Sequence, residues 1–243
     1  MFDALFTTTT EYQKLSHALS GKGACALFGL PASGRAQVYA ALCRQLDKPL
    51  CIVTPGEAEA TRFAADLNTL GIPAAVFPAR DYVLRPIEGT AREYEYRRLA
   101  VLGELVGGRL RAVAVPAEAL TQFTTPKEDF CANTRTLHAG DTLLRDDLLA
   151  ALFGAGYTRR AQVDGPGQFS VRGDIVDIFA PDQKMPVRME FWGDEIDTLH
   201  TFDLTTQRRE DAIDKFYLSP AREVLFGKPA DAAEQLQAFL AKQ

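Results

Sequence analysis

The sequence of 243 residues is poor in the side chains that build metal centres and disulfide frameworks. It has four cysteines (25, 43, 51 and 131) and three histidines (17, 138 and 200). No two cysteines have CxxC spacing and the histidines are scattered, so neither a zinc site nor a disulfide scaffold is expected. Reduced cysteines fit a cytoplasmic location. An excess of positive charge is also lacking: 27 basic face 32 acidic residues, net −5, which argues against a chain whose main task is coating DNA. No apolar run approaches the roughly 20 residues of a membrane helix, so no membrane partner is expected. The first residues, Met1-Phe-Asp-Ala-Leu-Phe-Thr-Thr8, lack a basic start followed by an apolar core, and no signal peptide is read. There is no HExxH, no nucleophile elbow, no DExD/H-type strand end and no His–carboxylate pair.

What is present is ordinary globular material, 47% hydrophobic and 24% charged, enough for a core without staples. Apolar periodicity predicts a helix over 11–20, a buried strand over Ala24–Leu30, a helix over Ala36–Leu46 and a strand over Leu50–Thr54. A helix over Glu57–Leu70, a strand over Ala74–Phe77, a helix over Arg92–Val106 and a strand over Arg111–Val115 follow. Strands alternating with helices mean crossovers and a parallel sheet, so residues 1–125 read as one α/β unit. The grammar changes after Pro126. A helix over Arg145–Phe153 precedes strands over Phe169–Phe179, Val187–Trp192 and Thr198–Phe202, joined by short turns, which read as an antiparallel sheet with a helix on one face. Residues 126–212 are thus an inserted α+β domain and 213–243 a return segment. Charge supports the cut: the three blocks carry net +1, −6 and 0.

Gly29-Leu-Pro-Ala-Ser33-Gly34-Arg35-Ala36 has the spacing and the strand-to-helix setting of a phosphate loop. The chemistry is missing. Lys should reach the β/γ phosphates and a Ser/Thr hydroxyl should hold Mg²⁺, but these positions are Arg35 and Ala36. Gly29, Ser33, Gly34 and Arg35 therefore read as a degenerate loop without hydrolysis. An anion at the helix start stays open.

Strand parity makes the second domain more informative. In Val187–Trp192, the residues Val187, Met189 and Phe191 form a natural core face. Arg188, Glu190 and Trp192 point the other way. In Phe169–Arg172, Ser170 and Arg172 share the face opposite Phe169 and Val171. If both strands lie in one sheet, Arg172, Arg188 and Trp192 converge on its outer surface, and Arg and Trp dominate interface hot spots. Gly173 is read as a bulge or a close backbone approach.

Several runs carry a family resemblance. They are Gly154-Ala-Gly-Tyr-Thr-Arg159, Gly167-Gln-Phe-Ser-Val-Arg-Gly-Asp-Ile-Val-Asp-Ile-Phe-Ala-Pro181, Pro186-Val-Arg-Met-Glu-Phe-Trp-Gly-Asp-Glu-Ile196, Phe202-Asp-Leu-Thr-Thr-Gln-Arg208 and Leu218-Ser-Pro-Ala-Arg-Glu223. They resemble the UvrB-homology region of Mfd, the bacterial transcription-repair coupling factors. UvrB shares the strand and the turn but carries Gly-Lys-Thr in its loop and a long DNA-clamping hairpin, for which this chain has no room. The resemblance implies a degenerate RecA-like domain (1A) over 1–125, an inserted UvrA-docking domain (domain 2) over 126–212 and a return segment (1B) over 213–243. It implies Arg172, Arg188 and Trp192 as UvrA contacts, with Trp where the family often has Phe.

The implied role is a non-catalytic adaptor that recruits UvrA to stalled RNA polymerase. The alternative is a UvrB-like nucleotide-binding helicase fragment acting on damaged DNA. The family also implies a longer parent with an ATP- and Mg-dependent translocase that binds RNA polymerase and double-stranded DNA. The parent's C-terminal region is expected to mask domain 2. No cofactor is expected in this chain itself, which reads as an excised N-terminal piece.

Overall fold

The structure is a computed structural model that describes residues 7–21, 24–46, 48–80 and 92–223. The chain forms two units, Met1–Asp81 with Gly107–Gln122, and Tyr82–Val106 with Phe123–Gln243.

The first unit opens with helix α1 (Thr10–Ser20), whose N-cap Thr9 accepts a hydrogen bond from the Tyr12 N–H at 3.3 Å. Helix α2 (Ala32–Gln45), strand β1 (Leu50–Thr54), helix α3 (Glu57–Thr69) and strand β2 (Ala74–Val76) follow. The chain leaves for helix α4 (Glu93–Val106) in the other unit and returns as β3 (Ala112–Pro116) and the short α5 (Ala117–Leu120). The sheet has the order β1-β3-β2 and is parallel throughout, with Ala112 opposite both Leu50 and Ala74. The central strand β3 is buried along its whole length. Ala40 and Cys43 of α2 and Leu67 of α3 pack on Ile52 and Ala112, and Ala60, Phe63 and Ala64 pack on Ala114. The Arg111 guanidinium closes the end of α2 by donating to the carbonyls of Cys43 and Leu46.

One strand expectation fails. Residues 24–30 are not a buried strand: they are unpaired, and Phe28 is 88% exposed. The run pairs with no strand of the sheet; its side chains as far as Phe28 are exposed, and only Leu30 packs, partly buried, against the cluster of Tyr12, Val38, Ala41 and Leu42.

The second unit continues with α6 (Lys127–Ala132), β4 (Arg135–His138), α7 (Arg145–Gly154), β5 (Thr158–Arg159), β6 (Gln168–Arg172) and β7 (Ile175–Phe179). Strands β8 (Val187–Trp192), β9 (Glu195–Phe202), β10 (Arg209–Ala212) and β11 (Lys215–Leu218) complete it. Its six-stranded sheet has the order β10-β9-β8-β7-β6-β5, antiparallel except for the β5–β6 pair, and β4 pairs separately with β11. Leu148 and Leu152 of α7 lie in one core with Phe169, Val176, Ile178, Met189, Phe191 and Leu199 of the sheet. The same core takes in Leu137 of β4 and Phe216 and Leu218 of β11. At least as far as Leu218, the stretch read as a return segment is therefore part of this unit.

Helix α4, read from the sequence as part of the first unit, also belongs here. Arg98, fully buried in mid-helix, grips Glu223 with N–H donors at 2.8–3.0 Å and reaches the Phe123 carbonyl and Thr124 Oγ1. Glu95 accepts the Glu223 N–H at 2.9 Å. An amphipathic helix of 14 residues shows only its apolar stripe in the sequence, and the partner of that stripe is set by this long-range ion pair. Gly167 (φ +72°) marks how closely the helix approaches, since a Cβ there would stand 2.6 Å from the Tyr96 hydroxyl.

Candidate functional site

The site is the sheet face turned away from α7. Two-residue turns build it: Gly173-Asp174 between β6 and β7, and Gly193-Asp194 between β8 and β9, each led by a glycine in the left-handed region. Gly173 therefore serves a tight hairpin, not the bulge or close contact expected from the sequence, and nothing lies within 4 Å of where its Cβ would be. The bulge lies instead between Glu190 and Phe191.

Directly opposite residues in antiparallel strands share a face, so register defines the rows. One row is Ser170, Asp177, Arg188 and His200; the next is Arg172, Ile175, Glu190 and Thr198. Val187, Met189 and Phe191 all enter the core, as parity requires. Trp192 leaves the same strand on the other side and is 82% exposed.

The two arginines meet on one carboxylate. Asp177 is fully buried. Arg188 approaches it from β8 with Nε to Oδ1 at 2.7 Å and an Nη to Oδ2 at 3.0 Å. Arg172 approaches from β6 with an Nη to Oδ2 at 2.5 Å. Their exposures differ: the Arg172 side chain is 47% exposed and that of Arg188 only 10%. Arg188 also donates to the Gln207 carbonyl at 3.2 Å, and its guanidinium carbon lies 4.7 Å from the centre of the Phe202 ring. Hydrogen bonding to Asp177 raises the Arg188 pKa above its ordinary value against the opposing effect of burial, so this cation is permanent. Along the face, Glu190 pairs with Arg209 and accepts from Thr198 Oγ1. Arg172 and Arg188 thus meet as parity expects, with Arg188 sealed and Arg172 half exposed, whereas Trp192 stands exposed at the end of β8 and is not part of the Asp177 cluster. Asp177 and Gln207 were not singled out from the sequence.

The loop at 29–36 has a different character. Helix α2 begins at Ala32, so Ser33, Gly34 and Arg35 are already helical, and the preceding turn is Gly29–Pro31. The Arg35 N–H donates to the Pro31 carbonyl at 3.1 Å, and its guanidinium lies 3.9 Å from Glu59. Pro31 has no N–H to offer an anion. Among the described residues no group of three or more His, Cys, Asp or Glu side chains is placed to hold a metal ion, and all four cysteines are free. No described helix is long and apolar enough to cross a membrane.

Residues 136–224, which contain this whole face, match the family model of the UvrB interaction domain. The chain is 36% identical over 245 aligned residues to a transcription-repair-coupling factor of Mycobacterium bovis, covering 96% of this chain and 20% of that protein. The factor of Myxococcus xanthus is 35% identical over 81% of this chain and 17% of its own length. That of Bacillus subtilis is 28% identical over 87% of this chain and 18% of its own length. Over most of its length the chain is homologous to the transcription-repair-coupling factors. It spans about a fifth of the length of these relatives. The homology covers both units, while the family model is confined to the second.

Proposed function

We propose that this chain is a non-catalytic docking module that recruits UvrA, the damage-recognition protein of nucleotide excision repair, to RNA polymerase stalled on DNA. The observation that carries this reading is the exposed Trp192 at the end of β8 together with the half-exposed Arg172 that Asp177 holds on β6, both within the stretch that matches the UvrB interaction domain. An open indole ring costs little to desolvate and adds much contact area, and a guanidinium held by a buried carboxylate is already ordered when a partner arrives. The Arg172–Asp177–Arg188 cluster carries one net positive charge, so it suits acidic groups on a partner beside an apolar recess for Trp192.

The first unit is then a degenerate RecA-like (1A) domain. Its parallel three-stranded sheet supports this assignment, and the loop with Arg35 and Ala36 in place of Lys and Ser/Thr accounts for a lack of hydrolysis. ATP, Mg²⁺, RNA polymerase and duplex DNA belong to the rest of the longer parent, whose C-terminal part masks the docking face until it is needed. The module works in the cytoplasm. A pull-down of purified UvrA tests the reading: the parent chain retains UvrA, and an Arg172→Glu/Arg188→Glu double variant that still folds does not. Equal retention by both would remove this face from consideration.

A further inference from the structure

The docking reading uses Arg172, Arg188 and Trp192, yet the face is organised around two residues it leaves out. Asp177 stands among apolar neighbours in Ile175–Phe179, on a strand whose interior is otherwise Val176, Ile178 and Phe179. A buried carboxylate is costly unless charge and hydrogen bonds compensate it. Here both oxygens are used, and by cations from both neighbouring strands.

Gln207 is the second. Among the described residues it alone combines a side chain beyond glycine with a positive φ, +59°. That conformation is disfavoured for such residues and persists where the surroundings over-determine it. Its amide side chain donates to the Leu204 carbonyl at 2.8 Å, and its own carbonyl accepts from Arg188 at 3.2 Å. With Phe202 against it, Arg188 is held by Asp177 on one side and by the Gln207 turn on the other. Arg172, by contrast, has one Nη on Asp177 and half its side chain in solvent.

We infer that Asp177 is a positioning residue of the docking face. With Arg188 and the Gln207 carbonyl it forms a buried clamp that fixes the Arg172 guanidinium for the partner. Arg188 is part of this clamp. Arg188 and Asp177 neutralise each other, so the charge projected to the partner is that of Arg172. The inference rests on the docking reading above.

A double-mutant cycle with purified UvrA tests it. Affinity is measured for the parent chain, Asp177→Asn, Arg172→Ala, Trp192→Ala and the Asp177→Asn/Arg172→Ala pair, with near-ultraviolet circular dichroism as the check on folding. Asp177→Asn is expected to weaken binding about tenfold, the scale of losing the order of one long side chain. In the Arg172→Ala background the same change is expected to cost less than about twofold, because the group it positions is gone. If Asp177→Asn does not fold, Asp177→Glu replaces it in the cycle, keeping the charge while displacing the carboxylate, with the same expectation. An equal loss in both backgrounds, or no loss in either, overturns the positioning role. If Arg172→Ala and Trp192→Ala leave UvrA binding untouched, the docking reading fails and the inference falls with it. If they weaken binding and the Asp177 effect persists undiminished without Arg172, only the inference fails.

Discussion

The two units each carry an arginine that the sequence marks as functional, and the structure treats them in opposite ways. Arg35 lies on the first turn of α2, half exposed, with Glu59 3.9 Å away. Arg188 lies in a strand, nearly sealed, with three N–H donors engaged on Asp177 and Gln207. The first arrangement contributes little, because an exposed pair pays side-chain entropy and is screened by salt. The second fixes geometry, because removing either partner leaves a buried charge uncompensated. A buried carboxylate brings two arginines from different strands into one ordered cluster.

Four substitutions probe this difference between the two units. The largest effect is expected in the second unit at Arg98, the other arginine sealed on a carboxylate. Arg98→Ala strands Glu223 in the interior and should cost about 3–5 kcal/mol in urea denaturation. Trp192→Ala comes next and separates function from fold. An exposed ring on a rigid face is a hot-spot candidate, so UvrA binding should weaken by about 2 kcal/mol or more. Its melting temperature should stay near the parent value, because stability changes at such surface positions remain within about 0.5 kcal/mol.

Tyr157 gives a pH test. Burial, the main cause, together with the nearby Asp182, holds its phenol well above the ordinary value of about 10, against the opposing effect of the Ser219 side chain. The folded state therefore keeps a proton that the unfolded state releases. The associated stability is fully present below the unfolded pKa of about 10 and is lost as pH rises from there toward the folded value. Tyr157→Phe should remove that alkaline decline while costing about 1 kcal/mol near neutrality, from the lost hydrogen bond to the Ser219 carbonyl. Thermal melts of both proteins between pH 7 and about pH 11 would show it. The smallest effect is expected at the other end of the comparison: Arg35→Ala should change stability by less than about 0.5 kcal/mol and leave UvrA binding unaltered.

How much of this was legible in the sequence follows from which interactions are local. Alternation in Val187–Trp192 was enough to send Met189 inward and Trp192 outward, because strand parity depends on nothing but the backbone. Helices α1, α3 and α4 followed from apolar spacing in the same way. What failed depended on partners far along the chain. Ala24–Leu30 has a strand's composition, but composition does not supply the neighbouring strand that a ladder needs, and it pairs with none. Helix α4 has an apolar stripe that fits either unit until Arg98 meets Glu223. The resemblance supplied Arg188 as a contact residue, and only the convergence of three strands shows its burial. Asp177 had a readable signal, a carboxylate within an apolar strand whose parity puts it on the Arg188 face. Gln207 had none, since its positive φ belongs to a turn that closes on a distant arginine.

As a docking face, Trp192 and its neighbours are expected to meet UvrA directly. Fluorine NMR of the chain labelled with fluorotryptophan gives one resonance, because the sequence contains a single tryptophan. On titration with unlabelled UvrA, that resonance should shift and broaden and lose its accessibility to a soluble paramagnetic quencher. A resonance that stays sharp, unshifted and quenchable while the two proteins co-elute would contradict the account.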